Sequence, residues 1–80
     1  MDFLETLTKK ERKLVDVLLD NEVATKVDLL VNGWGYPRDM AEKMTDQRTT
    51  DITVARVRKK LPPHVNIHTV RGVGYRLELG

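Results

Sequence analysis

RTTDITVARVRKKL (residues 48–61) and, past Pro62-Pro63, IHTVRGVGYRLEL (residues 67–79) decide how this chain folds. The first segment reads as a helix, capped by Asp46 or Thr49 and stopped at Leu61 by the two prolines, which cannot continue a helix. Val54, Val57 and Leu61 lie at offsets of three and seven and make its core-facing stripe. Thr49, Ile52, Thr53 and Arg56 form a second stripe at offsets of three, four and seven, so they project together from another face. The second segment reads as two strands, residues 65–70 and 75–79, rich in β-branched and aromatic residues. Arg71-Gly72-Val73-Gly74 between them makes a hairpin, whose glycines tolerate positive φ and close backbone approach and let Arg71 extend past the strands.

The rest of the chain reads as support for these two elements. Thr8 and Glu11 have the spacing of a capping box, which predicts a first helix over residues 8–21. Leu14, Val15, Leu18 and Leu19 give it an apolar stripe, while Lys10, Lys13 and Asp16 face water. Thr25 with Asp28, then Leu29, Leu30 and Val31, predict a second helix over residues 26–32, ended by Gly33. Residues 33–47 read as a long connection, with Gly35, Pro37 and a cluster of charges, and with one helical turn around residues 40–44. Three helices and a C-terminal hairpin make an α+β fold, expected as a single domain over residues 1–80.

Composition bounds the function classes. Eighty residues without cysteine bury only about 60% of their unfolded surface and leave stability to the packing of one core, with no disulfide or thiolate metal site to help. No apolar run is long enough to cross a bilayer, and MDFLETLTKKER lacks the basic-then-apolar pattern of an export signal. The expectation is a cytoplasmic protein with no membrane partner. The net charge of +2 conceals an asymmetry: residues 1–47 carry seven Lys or Arg against ten Asp or Glu, and residues 48–80 carry seven against two. A basic block of +5 after a part of −3 is the footprint of a polyanion-binding surface.

Side-chain chemistry points the same way. Ile52 can contact a thymine methyl, the threonines can bond to base edges or phosphates, and Arg56 can reach a guanine edge. Arg48, Lys59 and Lys60 are candidate phosphate anchors. Arg71 can enter a narrow minor groove, where negative potential is focused. Catalysis is not expected: His64 and His68 lack a third ligand at metal-site spacing, and RGVGYR lies between strands, unlike a phosphate-binding loop. No cofactor or metal is expected.

LTKKERKLVDVLLDN, TKVDLLVNGWGY, RTTDITVARVRKKL and VNIHTVRGVGYRL, in this order and together spanning residues 7–79, resemble the effector domain of OmpR/PhoB-type response regulators. The resemblance implies a winged helix-turn-helix, with residues 48–61 as the recognition helix in the major groove and residues 65–79 as the wing. The family's groove-facing positions map onto Arg48, Thr49, Ile52, Thr53 and Arg56, and its wing arginine onto Arg71, beside Thr69. Residues 34–47 correspond to the family's RNA polymerase-contacting loop, with Tyr36, Arg38, Asp39, Met40, Glu42 and Lys43 as candidate contacts. The implied function is sequence-specific double-stranded DNA binding in transcription regulation; because one module covers a short site, binding as a homodimer or in tandem on repeated half-sites is expected. The setting is bacterial, or a host cytoplasm if a virus or mobile element encodes the chain.

The chain departs from the family in several respects. It has no room for a receiver domain, so phosphorylation through its own receiver is not expected, and only six residues precede Leu7 where the family has a small sheet. The connection is long, and Ala55 stands where a basic or polar residue is common. An alternative stays open: a protein-interaction module docking on RNA polymerase or another regulator through Trp34, Tyr36, Met40 and Met44, since aromatics and Met are enriched at interfaces.

Overall fold

A computed structural model describes residues 2–45 and 48–79. After a 3-10 turn at Asp2–Thr6, helix α1 spans Lys9–Asp20, strand β1 Ala24–Thr25 and helix α2 Lys26–Asp28, which runs directly into a π-helical stretch at Leu29–Gly33. Helix α3 spans Arg38–Met44, α4 Thr49–Lys60, and strands β2 and β3 are Val65–Val70 and Gly74–Leu79. Four helices therefore pack with a three-stranded antiparallel sheet of order β1-β3-β2.

Local chemistry sets the helix starts. Thr8 is the N-cap of α1: its Oγ1 accepts from the Glu11 amide at 3.2 Å, and Glu11 Oε1 accepts from the Thr8 amide at 2.9 Å. Thr25 and Asp28 repeat the device at α2, both bonds at 3.0 Å. Thr8→Ala should remove the first box and destabilise the fold by about 1 kcal/mol, seen as a fall of roughly 4–8 °C in melting temperature. An unchanged melting curve would show that the box contributes nothing net.

The core is built from Leu14, Val15, Val17 and Leu18 of α1, Ala24 of β1, Leu29 at the start of the π-helical stretch, Val54 and Val57 of α4, and Ile67 and Tyr75 of β2 and β3, with Leu4, Leu7, Trp34, Leu61 and Leu77 packed around it. Val17 fills the place expected for Leu19, which is 40% exposed at the edge of the α1 stripe. Two further expectations need correction. The long connection contains a seven-residue helix, α3, entered through Pro37 at φ −58° and anchored by fully buried Ala41. With only one small buried residue, its apolar period is too weak to read from sequence. The N-cap of α4 is Arg48, without a side-chain cap bond, so Thr49 is the first helical residue; Asp46, the other cap candidate, lies outside the described residues.

The hairpin pairs Val65 with Leu79 through Val70 with Gly74, leaving a three-residue tip. Val73 donates its amide to the Val70 carbonyl at 2.9 Å, and Gly72 in the tip has φ +76°, where a Cβ is disfavoured. Gly74 serves a different need. β1 pairs with β3 so closely that a Cβ at Gly74 would lie 2.0 Å from the Ala24 carbonyl oxygen.

Candidate functional site

Helix α4 has two faces. Thr50, Val54 and Val57 turn inward, with Thr50 only 2% exposed, so the buried stripe starts one turn earlier than its apolar residues indicate. Arg48, Ile52, Ala55, Arg56 and Lys59 are exposed, at offsets of four, seven, eight and eleven along one side, and Ile52 is 49% exposed. The second stripe read from the sequence does not stay together. Thr53 is 7% exposed and its hydroxyl donates to the Thr49 carbonyl at 3.0 Å, while Thr49 is half-buried. The apolar residues alone misjudged the core face, because Thr50 and Thr53 share it.

Lys60 points elsewhere. Its ammonium lies 2.7 Å from Oε1 of Glu11, a carboxylate that is 4% exposed at the start of α1. Burial raises the pKa of Glu11, but the hydrogen bond from Lys60, the Thr8 amide and the charge of Lys60 together outweigh it and hold the carboxyl below its ordinary value of 4.5. Lys60 thus ties the end of α4 to the start of α1.

The wing stands beside the exposed face of α4. Arg71 is exposed at its tip. Arg58, which sequence reasoning did not single out, joins the two elements: its Nε and Nη2 donate to the Ile67 carbonyl at 3.1 and 2.9 Å, and Nη2 also donates to Thr69 Oγ1 at 3.0 Å. Thr69 is exposed, yet its hydroxyl is already engaged by Arg58. The sequence showed Arg58 only as one more cation in the basic last turn of α4, with no hint of its strand partner.

A groove runs between wing, α4 and the start of α2, lined by Lys26, Asp51, Arg58, Arg71 and Tyr75 among others. Asp51 crosses it. Tyr75 donates its hydroxyl to Asp51 Oδ1, and Lys26 Nζ lies 3.3 Å from Oδ2. The Tyr75 bond, opposed by burial and aided by Lys26, holds the Asp51 carboxyl below its ordinary 3.8. Burial, then the bond to Asp51 and its charge, push the Tyr75 phenol up to about 12. Asp51 and Glu78 are the two carboxylates among residues 48–80; with Asp51 paired, the groove keeps a net positive lining.

The connection between α2 and α4 presents another surface. Arg38, Asp39, Met40, Glu42 and Lys43 of α3 are exposed, and Tyr36 is half-buried. Trp34 is packed against the core; its indole N–H donates to the Lys10 carbonyl at 3.0 Å, and the Lys10 ammonium sits 4.4 Å from the ring centroid. His68 contacts Glu78 at 3.1 Å, and His64 is exposed. No helix among the described residues is long and apolar enough to cross a membrane.

Residues 5–77 match the family of the C-terminal domain of transcriptional regulatory proteins. The chain belongs to this family. It is therefore an OmpR/PhoB-type effector domain, of a class that binds DNA in transcription regulation and is not a class of enzymes. Among its relatives are the uncharacterized transcriptional regulatory protein YclJ of Bacillus subtilis, 37% identical over 94% of this chain and 33% of YclJ, and the transcriptional regulatory protein VxrB of Vibrio cholerae, 39% identical over 91% of this chain and 28% of VxrB. The heme response regulator HssR of Staphylococcus saprophyticus is 35% identical over 90% of this chain and 32% of HssR. This effector domain spans about a third of the length of these relatives.

Proposed function

We propose that this domain binds double-stranded DNA sequence-specifically to regulate transcription, with Arg48, Ile52 and Arg56 of α4 in the major groove and Arg71 in the adjacent minor groove. The observation that carries the reading is an exposed, cationic side of α4 set beside a wing whose tip bears an exposed arginine, the two bridged by Arg58. Thr49 and Lys59 flank that side and suit phosphate contacts. Thr53 and Lys60 are left out of the contact set, since one is buried and the other is held by Glu11. A single module covers a short site, so binding as a dimer or in tandem on repeated half-sites belongs to the proposal.

Selection of bound duplexes from a random pool, followed by affinity measurements on the selected site, tests it. Arg56→Ala should relax preference at one base pair and cost about 1–3 kcal/mol. Arg71→Ala should weaken binding and flatten its salt dependence while sparing the major-groove preference. The assignment is overturned when both variants bind the selected site as the parent does.

A second reading, docking on RNA polymerase, draws on α3: Met40 is 48% exposed amid Arg38, Asp39, Glu42 and Lys43. Exposed Met is common at adaptable interfaces. Polymerase retained by a domain carrying Arg56→Ala and Arg71→Ala, and lost on Met40→Asp, would support it; retention by all variants or by none would reject it.

A further inference from the structure

An acidic side chain in the first turn of α4 is at odds with a surface that meets a polyanion. Asp51 would repel phosphates as a bare carboxylate, yet both of its oxygens are engaged inside the protein: Oδ1 accepts from the Tyr75 hydroxyl, and Oδ2 lies 3.3 Å from Lys26 Nζ. The three partners come from three different elements. Asp51 is next to Ile52 on α4, Tyr75 is four residues from Arg71 on the strand that carries the wing, and Lys26 is the first residue of α2.

Their convergence is fixed by backbone. Gly74 lets β1 and β3 approach until Ala24 pairs with Tyr75 and Thr25 with Gly74. β1 passes directly into α2, whose capping box at Thr25 and Asp28 sets the direction of Lys26. The ring of Tyr75 is buried in the core cluster and only its hydroxyl reaches out to α4. Such a junction, with charge-assisted bonds on both sides of one carboxylate, resists sliding of the wing along the helix.

We infer that Asp51, Tyr75 and Lys26 are positioning residues that hold the wing in register with α4, so that discrimination between a specific site and other DNA depends on them without a base contact of their own. The inference rests on the DNA-binding reading above. Nonspecific binding needs only cations near phosphates, whereas specific binding needs the helix and Arg71 seated in their grooves together. A displacement of the wing therefore acts on the first far less than on the second.

The test compares the site selected by the parent with a scrambled duplex of equal length at one salt concentration. Tyr75→Phe removes one hydroxyl; it should leave the scrambled duplex within about twofold and weaken the selected site roughly tenfold, the effect of one charge-assisted hydrogen bond. Asp51→Asn separates positioning from charge. Removal of a negative charge by itself tightens binding to both duplexes alike; the junction instead requires the ratio of the two affinities to fall. Thermal unfolding identifies variants that are folded at the assay temperature, and Asp51→Asn decides the matter alone if Tyr75→Phe is not. An unchanged ratio in a folded variant overturns the inference and leaves the DNA-binding reading intact. A parent without preference for any duplex takes down both. In the absence of DNA, a Tyr36→Phe background isolates the Tyr75 phenol, which should titrate at about 12 and fall only part of the way with Asp51→Asn, because burial, the larger cause, remains; no change there also counts against the junction.

Discussion

Gly74→Ala should be the most destabilising glycine-to-alanine change among the described residues, lowering stability by about 3 kcal/mol or more and the melting temperature by roughly 12 °C or more. The added Cβ would meet the Ala24 carbonyl oxygen at 2.0 Å, the Thr25 Cα at 2.7 Å and the Ala24 carbonyl carbon at 2.8 Å. All three are backbone atoms, so no rotamer change relieves the contact, and β1 must separate from β3. Gly72→Ala provides the contrast. Nothing lies within 4 Å of its Cβ position, and the penalty there is the φ of +76° alone, about 1–2 kcal/mol. Urea denaturation of the two variants measures the difference. Equal losses would mean that β1 is not held against β3 as described, and the junction at Tyr75 would lose its backbone support.

What the sequence made legible follows the range of the interactions involved. Both capping boxes, Thr8 with Glu11 and Thr25 with Asp28, close within three residues, and the hairpin around Gly72 turns within a few, although its second strand starts at Gly74, one residue before the sequence reading placed it. These could be read because each signal and its partner sit side by side in the chain. β1 could not: two residues carry no period, and their pairing with Gly74 and Tyr75 spans some fifty positions. The Asp51–Tyr75 bond, 24 residues apart, is invisible for the same reason. On α4 the failure was of another kind. Treating Thr53 as outward because it is polar misplaced the face, since a threonine that bonds to its own helix, as Thr53 does to Thr49, presents mainly a methyl to the core. The exposed cations Arg48, Arg56 and Arg71 were all among those singled out, because large cations rarely bury and needed no partner to be placed.

Lys60→Met should destabilise the fold by roughly 2 kcal/mol at neutral pH, less than the loss typical of a broken fully buried pair because water reaches part of the Lys60 head group. The expected signature is its pH dependence. In the parent, Glu11 has a lowered pKa, so its charge contributes stability above the ordinary value of 4.5, and that contribution is lost as pH falls through the lower folded value. Without Lys60 the main opposition to burial is gone, and the folded pKa of Glu11 rises instead. The sign then reverses: the variant carries a penalty above the unfolded pKa that disappears on acidification, when Glu11 is neutral in both states. The stability difference between parent and variant should therefore shrink from its neutral value as pH falls through the lowered folded value of Glu11. Denaturant titrations at pH 7 and pH 3 measure it. A difference that stays constant between them would assign the loss to packing of the lysine stem, and Glu11 would then be a cap for α1 with no electrostatic tie to α4.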